Sequence, residues 1–537
     1  MRNHAKYLLI VLSMIFMYFF TYKYISEEVN LYSCDFVEQN IFWHDFSILL
    51  KENINEFFNK ICHDIYWYNR NPFSIILLLP FSYFIKDFRF GFIYAVEVMY
   101  LLPVIMLIWY LFNNFYYKLK EKLAINNGIA VALNKRQILM FLSSIFFFPA
   151  IWLSVISGLP DVCGMIPVLT CYIMYFKYGF NKKVNFIKIL IFALLLYLPF
   201  LSRRWYAVVI TSFLASVIVE NIYTSLRSNS KIKDLIYTIF NLGIVVLIFS
   251  VSAFIIQGGY VSGIIEKELA ERSMYTVQYN QIEGLYSYIG ILIFLISIIG
   301  VICNLSNRLV RVSALNIIIY LFLFIAVMHN QLLWINHFIY IAVLLCILYC
   351  AGLYTITKFL KNKLLKNIFI FFIVFFNITN FYTFYLEEKP DKLKSLLPQA
   401  SAYPIKITDY DKVLNLYGYL ENEYMKNKKI KIAIYGLCDR VGYWQFRSIN
   451  PDGEFAKNAV NFERILDEDF KDADYNEDFV ILFKPFGIFT SEDYSKELKE
   501  IEKMFKQNKG FALNYKKVKE IRLENENKTK VTVYKRK

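Results

Sequence analysis

The sequence predicts a polytopic α-helical membrane protein that carries a small α/β domain near its C-terminal end. Two observations predict the membrane part. Of the 537 residues, 57% are hydrophobic, against about 45–50% in soluble proteins, and they lie in runs long enough to span a bilayer. A third observation predicts the α/β domain, since strand and helix patterns alternate in the polar sequence after residue 386.

The charge distribution also favours a membrane protein. The chain has 59 Lys and Arg against 44 Asp and Glu, which gives a net charge of +15. The basic residues crowd short connections between apolar runs, as the positive-inside rule predicts for cytoplasmic loops. No basic soluble segment carries interleaved aromatic residues, so we expect no nucleic-acid partner. Heavy use of Lys, Asn, Ile, Phe and Tyr is typical of an AT-rich bacterial genome, so the expected location is a bacterial plasma membrane.

The apolar runs predict about eleven transmembrane helices, with the N-terminus in the cytoplasm and the C-terminus outside. Arg2 and Lys6 precede the first run, which is too long and too bulky at its end for a cleaved signal peptide. Connections rich in Lys and Arg then alternate with acidic or very short ones. The predicted spans lie near residues 7–25, 90–112, 138–157, 162–178, 187–201, 205–222, 235–257, 286–304, 313–328, 337–355 and 367–386.

The first outer loop, residues 26–89, is acidic and aromatic in a chain that is basic overall. Its first part, residues 26–71, holds eight acids against three basic residues. The apolar run 73–85 is short of the roughly 20 residues that a spanning helix needs. We therefore expect juxtamembrane helices in this loop. Cys34 and Cys62 share the loop, and a disulfide between them is an open alternative in an oxidising compartment.

The predicted domains are a transmembrane domain, residues 1–386, and an extracytoplasmic α/β domain, residues 387–537. Within the second domain, helical periodicity predicts helices over 410–424 and 495–507. Apolar and β-branched segments predict two buried strands, at 430–437 and 478–485. A third strand, at 530–537, is predicted to close the sheet as an edge strand. We find no catalytic pattern there. We expect this domain to shape how an acceptor substrate reaches the outer face of the membrane.

Ionisable residues at the predicted outer face are candidates for chemistry. In the first loop, Asp35 and Glu38 are candidate general bases, since a carboxylate can take a proton from an acceptor hydroxyl. His44 and Asp45 follow Trp43 and are candidate sugar contacts, with an interfacial aromatic belt as the alternative. Glu97 lies inside the second span, where we expect it to be hydrogen-bonded within the bundle.

Three further candidates follow in the chain. Asp161 ends the turn 157–161 at the start of a span, where it is a candidate functional acid, a helix N-cap, or both. Arg203 and Arg204 lie on an outer connection, against the positive-inside bias, and are candidate phosphate ligands, with lipid-headgroup binding as the alternative. In the turn HNQLLWINH, Gln331 and His337 are candidate phosphate or sugar ligands. Neither this turn nor the eight cysteines has the spacing of a metal site, so no metal ligand is predicted.

In order along the chain, these features resemble the GT-C superfamily of integral-membrane glycosyltransferases, which includes protein O-mannosyltransferases and the aminoarabinose transferase of lipid A. The likeness covers residues 1–386. It rests on Asp35 in the first loop, Asn71-Pro72, Phe90-Gly91, Pro160-Asp161, Arg203-Arg204 and the late turn with His337. One departure is that many members have adjacent acids in the first loop, whereas Asp35 and Glu38 are separated.

The resemblance implies transfer of a sugar from a polyprenyl-phosphate donor to a glycan, lipid or protein acceptor outside the membrane. It implies Asp35 as the base, Asp161 as a second acid, and the two arginines as phosphate ligands. Members differ in whether they need a divalent cation. Two alternatives stay open: a surface-polysaccharide polymerase or ligase, and a transporter. A transporter would predict internal repeats and broken helices, and we find no repeat.

Overall fold

A computed structural model describes most of the chain. The described residues are 2–29, 35–67, 72–118, 134–227, 230–263, 287–327, 335–388, 396–435, 441–461, 477–484, 492–524 and 528–537. They form two compact units. The first contains the long apolar helices, and the second contains Glu27–Asp45 together with Pro404–Lys537.

Helices dominate the first unit. Its helices of eight or more residues, with α2 beginning in the second unit, are α1 Arg2–Ser26, α2 Asp35–Glu52, α3 Ile54–Trp67, α4 Phe88–Tyr117, α5 Lys135–Phe146, α6 Pro149–Ile156, α7 Met165–Tyr178, α8 Phe186–Ser202, α9 Tyr206–Leu226, α10 Lys231–Ile256, α11 Ile291–Ile302, α12 Arg308–Val327, α13 Ile335–Phe359 and α14 Lys363–Tyr385. Shorter turns lie at Phe73–Ile76, Leu79–Tyr83, Pro160–Gly164 and Gly258–Ser262.

Eight helical segments among the described residues are long and apolar enough to cross a membrane, with α5 and α6 counted as one segment. The chain is therefore a multi-pass helical membrane protein. Each of the eleven predicted spans contains a helix, but α7, α8 and α11 have only 14, 17 and 12 residues. Because about 20 residues are needed to span a bilayer, the count is lower than the eleven predicted. The predicted juxtamembrane run forms two short turns, Phe73–Ile76 and Leu79–Tyr83.

The apolar helices divide into central and peripheral ones. On α10, Ile239 is 74% exposed and Phe254 is 67% exposed, which is typical of a helix that faces lipid. Helix α13 is almost entirely buried. It packs closely against α11, because Gly300 and Gly352 leave room for the partner backbone. A Cβ on Gly352 would lie 2.0 Å from the Ile296 carbonyl oxygen, so this contact needs small residues.

The second unit is built on a five-stranded mixed sheet. Its strands are β1 Ile432–Tyr435, β2 Val460–Asn461, β3 Phe479–Lys484, β4 Tyr515–Arg522 and β5 Lys530–Arg536. The order is β2-β1-β3-β5-β4, with β1 parallel to β2 and β3 and with β5 antiparallel to β3 and β4. The prediction that the last strand is an edge strand was wrong, because β4, a polar strand missed in the sequence, pairs with its outer side.

Alternating side chains explain how the sheet is covered on both faces. On one face, Ile432 and Ile481 join a core with α15, Tyr410–Lys426. On the other face, Ala433 and Val480 join a core with α16, Glu492–Gln507. Successive strand residues point to opposite faces, so β1 and β3, which are apolar except for Lys484 at the end of β3, need a helix on each side. This confirms the predicted helices and strands as an α/β arrangement.

Glu423 ties α15 to the sheet. Its carboxylate accepts hydrogen bonds from Lys426 at 2.6 Å and from Lys535 on β5. These two lysines hold the pKa of Glu423 below its ordinary value, with the hydrogen bond from Lys426 as the largest cause. The ionised form of Glu423 therefore stabilises the folded state, and this stabilisation depends on pH.

Candidate functional site

The candidate site forms where two short connections of the first unit meet. The 3₁₀ turn Pro160–Gly164 joins α6 to α7, and residues 203–205 join α8 to α9. Asp161 lies in the first turn of the 3₁₀ segment and is fully buried. Gly164 closes this turn against α9, since a Cβ at Gly164 would lie 2.5 Å from the Tyr206 ring. The fold thus brings the Asp161 carboxylate against Arg203.

The carboxylate of Asp161 is held by two donors from the α8–α9 connection. The Nε of Arg203 donates to Oδ1 at 3.0 Å, and the indole Nε1 of Trp205 donates to the same oxygen at 2.8 Å. The hydroxyl of Tyr206 donates to the Asp161 backbone carbonyl at 2.6 Å. Within the described residues, Oδ2 of Asp161 has no hydrogen-bond partner. One carboxylate oxygen is therefore fixed, and the other keeps its accepting capacity.

Both members of the ion pair are buried. The Arg203 side chain is 7% exposed and that of Asp161 is fully buried. Removing two charges from water is costly, and the cost is offset only when hydrogen bonds hold the pair in good geometry. Here the indole of Trp205 supplies one such bond. The arrangement fixes the position of the guanidinium group, as is typical of a preorganised binding site.

His337 reaches the same cluster through Trp205. The two rings meet edge to face, with centroids 5.3 Å apart. The backbone carbonyl of His337 accepts a hydrogen bond from Tyr320 at 3.0 Å, and Phe324 packs against its ring. The structure thus brings together three predicted site residues that are far apart in the sequence, namely Asp161, Arg203 and His337. Arg204 is half-buried beside Arg203.

The first-loop candidates are described only in part. Asp35 is the first residue of α2, and its side chain lies outside the described residues. Glu38 is buried on the same helix. Asp35 and Glu38 belong to the second unit, whereas Asp161 belongs to the first. Gln331 lies outside the described residues, as does Cys34, while Cys62 is an exposed free thiol.

His44 and Asp45 make polar contacts within the second unit. The Nε2 of His44 lies 2.7 Å from Oδ1 of Asp452. Both oxygens of Asp45 accept from Nη2 of Arg447 at 3.0 Å, and Lys457 lies 3.5 Å away. Arg447 is almost fully buried, so these contacts fix the part of α2 that belongs to the second unit to the C-terminal part of that unit. Their role as sugar contacts stays a prediction.

Two features of the cluster were missed in the sequence. Trp205 and Tyr206 directly follow the arginine pair in the sequence, and this adjacency could have indicated them.

Glu97 was expected to be hydrogen-bonded within the bundle, and this is confirmed, because the hydroxyl of Thr21 donates to its Oε1 at 2.6 Å. Glu97 is fully buried and begins a π-helical turn, Glu97–Leu101, in α4.

Among the described residues, no group of three or more His, Cys, Asp or Glu side chains is arranged to hold a metal ion. Comparison of the chain with known protein families and with curated proteins finds no match. The fold defines the class, a multi-pass helical membrane protein with an α/β unit, and the Asp161 cluster is its candidate functional site.

Proposed function

We propose that this protein is a membrane glycosyltransferase that moves a sugar from a polyprenyl-phosphate donor to an acceptor at the outer face of the membrane. The observation that carries the proposal is the buried Asp161–Arg203 pair, fixed by Trp205 and adjoined by Arg204 and His337. A site of this kind presents fixed cationic donors near apolar surface, as the phosphate of a lipid-linked sugar requires.

The proposed reaction is a displacement at the anomeric carbon of the sugar. An acceptor hydroxyl oxygen attacks this carbon, and the bond from the carbon to the phosphate oxygen breaks. The phosphate leaves with the electron pair, and Arg203 and Arg204 stabilise its charge. The hydroxyl proton goes to a carboxylate of the first loop, for which Asp35 is our choice and Glu38 the alternative.

Asp161 is assigned a positioning role. Its Oδ1 already accepts hydrogen bonds from Arg203 and Trp205, so its negative charge is paired with the guanidinium group. It assists by fixing the position of the Arg203 guanidinium group. Its second oxygen, which lacks a partner within the described residues, is available to orient an acceptor hydroxyl.

The proposal needs a definite topology. It assigns eleven crossings, with α7, α8 and α11 as short spans, an N-terminus in the cytoplasm of a bacterial cell and a C-terminal unit outside. The Lys and Arg distribution supports this orientation. A topology reporter fused after residue 387 is expected to be active only outside the cytoplasm. Activity in the cytoplasm would contradict the proposed face of the site.

The function is tested by deleting the gene and analysing surface glycans and lipid-linked sugars by mass spectrometry. The deletion is expected to remove one sugar from a surface glycan, lipid or protein and to increase its polyprenyl-phosphate precursor. Unchanged glycans and precursors would contradict the proposal. Complementation with Asp35→Ala and Asp161→Ala then tests the residues, and full rescue by both would reject their assigned roles. Expression of each variant is checked by immunoblotting of membranes.

A further inference from the structure

A second charged cluster, with a buried carboxylate and two partly exposed arginines, lies at the other end of α9. It contains Glu220 and Asn221 of α9 with Arg308 and Arg311 of α12. With a rise of about 1.5 Å per residue, Glu220 lies roughly 21 Å along the helix from Tyr206. This cluster is therefore separate from the Asp161 site, and the proposed sugar transfer does not use it.

The contacts of this cluster leave one arginine incompletely paired. Arg311 binds Glu220 through two hydrogen bonds, Nε to Oε2 at 3.0 Å and Nη2 to Oε1 at 2.6 Å. Nη2 of Arg308 donates to Oδ1 of Asn221 at 3.2 Å, and the Tyr175 hydroxyl donates to the same oxygen at 3.0 Å. The Nε of Arg308 lies 3.6 Å from Glu220 without a hydrogen bond.

The cluster has an excess of positive charge and of donors. Among the described residues, Glu220 is the one carboxylate paired with Arg308 and Arg311, so the three groups sum to +1. Nδ2 of Asn221 is a buried donor without a partner in the described part of the chain, and the buried hydroxyl of Ser225 also lacks one there. A site with unfilled donors and net positive charge selects an anion that accepts several hydrogen bonds.

The surroundings point to a lipid as the source of that anion. Arg227 stacks on Tyr223, with its guanidinium carbon 4.2 Å from the ring centroid. Along the same stretch of α9, Ile222 is 40% exposed and Leu226 is 58% exposed. Exposed apolar side chains beside guanidinium groups at the end of a spanning helix match the junction between acyl chains and headgroups.

We propose that this cluster binds the phosphate group of an anionic phospholipid. The Arg308 guanidinium, whose side chain is 28% exposed, is the main contact. Asn221 lies beneath it as a second donor, and Arg227 adds charge at the rim. The acyl chains lie along the exposed apolar face of α9. A lipid bound at this site contacts both α9 and α12.

The test is native mass spectrometry of the purified full-length protein titrated with phosphatidylglycerol or phosphatidylcholine. The wild-type chain is expected to bind phosphatidylglycerol about tenfold more tightly than phosphatidylcholine. Asn221→Asp and Arg308→Gln are each expected to remove this preference. Asn221→Asp is the sharper variant, because its carboxylate still accepts from Arg308 and Tyr175 while its second oxygen repels an anion. Its thermal unfolding without lipid is expected to match that of the wild type.

The matched control is Lys233→Gln, which also lowers the net charge by one at an exposed residue of the neighbouring helix α10. It is expected to keep the lipid preference. Retention of the preference in both cluster variants, or its equal loss in Lys233→Gln, would overturn the proposal. A third titration uses inorganic phosphate. Displacement of phosphatidylglycerol by millimolar phosphate would assign the same anion site to a soluble phosphate and would overturn the lipid assignment.

Discussion

Replacing Asp161 by alanine is expected to destabilise the helices around the candidate site strongly. The substitution leaves the guanidinium of Arg203, whose side chain is 7% exposed, without its carboxylate. Loss of one partner from a buried ion pair costs about 3–5 kcal/mol. The indole N–H of Trp205 loses its acceptor as well, which adds about 1–3 kcal/mol if it stays buried.

The double variant Asp161→Ala/Arg203→Met separates the ion pair from the packing around it. Because both charges are then absent, no buried charge remains uncompensated, and the loss is expected to be smaller than the sum of the two single losses. Residues in direct contact show coupling energies of about 0.5–3 kcal/mol, and a buried pair at 3.0 Å belongs at the upper end of that range. Asp161→Asn keeps an acceptor for Trp205 and is expected to cost less than Asp161→Ala.

The assay is amide hydrogen exchange of the full-length protein in detergent, followed in peptides from α8 and α9. A loss of 3 kcal/mol in local opening free energy lowers protection by about a hundredfold, since about 1.4 kcal/mol is a factor of ten. Peptides from β3 and β5 in the second unit serve as the internal control. If the free-energy losses of the two single variants simply add up to that of the double variant, the ion pair contributes no coupling energy. That result, or unchanged exchange in α8 and α9, would refute the reasoning that Asp161 and Arg203 neutralise each other.

Trp205→Phe removes the indole donor to Asp161 but keeps an aromatic ring, and a loss of about 1–3 kcal/mol is expected in the same exchange assay; an unchanged rate would contradict the hydrogen bond. Gly352→Ala is expected to lower the thermal unfolding temperature markedly, because its Cβ meets backbone at 2.0 Å, whereas Gly243→Ala, with nothing within 4 Å, should leave it unchanged or raise it; equal effects would contradict the close helix contact. The carboxylate of Glu423 has a pKa below its ordinary value of 4.5, so its contribution to stability is present above pH 4.5 and is lost as pH falls through the lowered pKa. Exchange in β5, corrected for the intrinsic rate, should rise below pH 4.5 and rise less steeply in Glu423→Gln; identical pH profiles would contradict this.

Much of the fold could be predicted because hydropathy and periodicity are local properties. Runs of apolar residues give the long helices, and the apolar segment that forms β1 is recognisable without its partners. The strand β4 was missed because its sequence YKKVKEIR is mostly polar, which is typical of an edge strand that faces water on one side. The length of a helix such as α11 depends on how its ends pack, which hydropathy alone does not report.

The site could be predicted only as a set of unusual residues. Arg203 and Arg204 stood out because they lie on the wrong side of the charge rule, and Asp161 because it opens a span. Their pairing depends on the packing of α7 against α8 and α9, and no local pattern encodes it. The same holds for Asp45, whose partner Arg447 lies 402 residues away. Sequence patterns name the ionisable residues, whereas tertiary contacts decide which charges neutralise one another.

The central claim is that Arg203 holds the phosphate of a lipid-linked sugar. The most direct measurement is release of polyprenyl phosphate when the purified full-length protein receives the lipid-linked sugar that the deletion strain accumulates, together with membranes and surface material of that strain, whose unmodified acceptor takes up the sugar. Arg203→Lys keeps the charge that pairs with Asp161 but loses the planar fork, and Arg308→Lys makes the same change in the separate cluster. We predict that Arg203→Lys lowers the release rate by about ten- to a hundredfold and that Arg308→Lys leaves it unchanged. Wild-type rates in Arg203→Lys, or no release by the wild-type protein, would contradict the account.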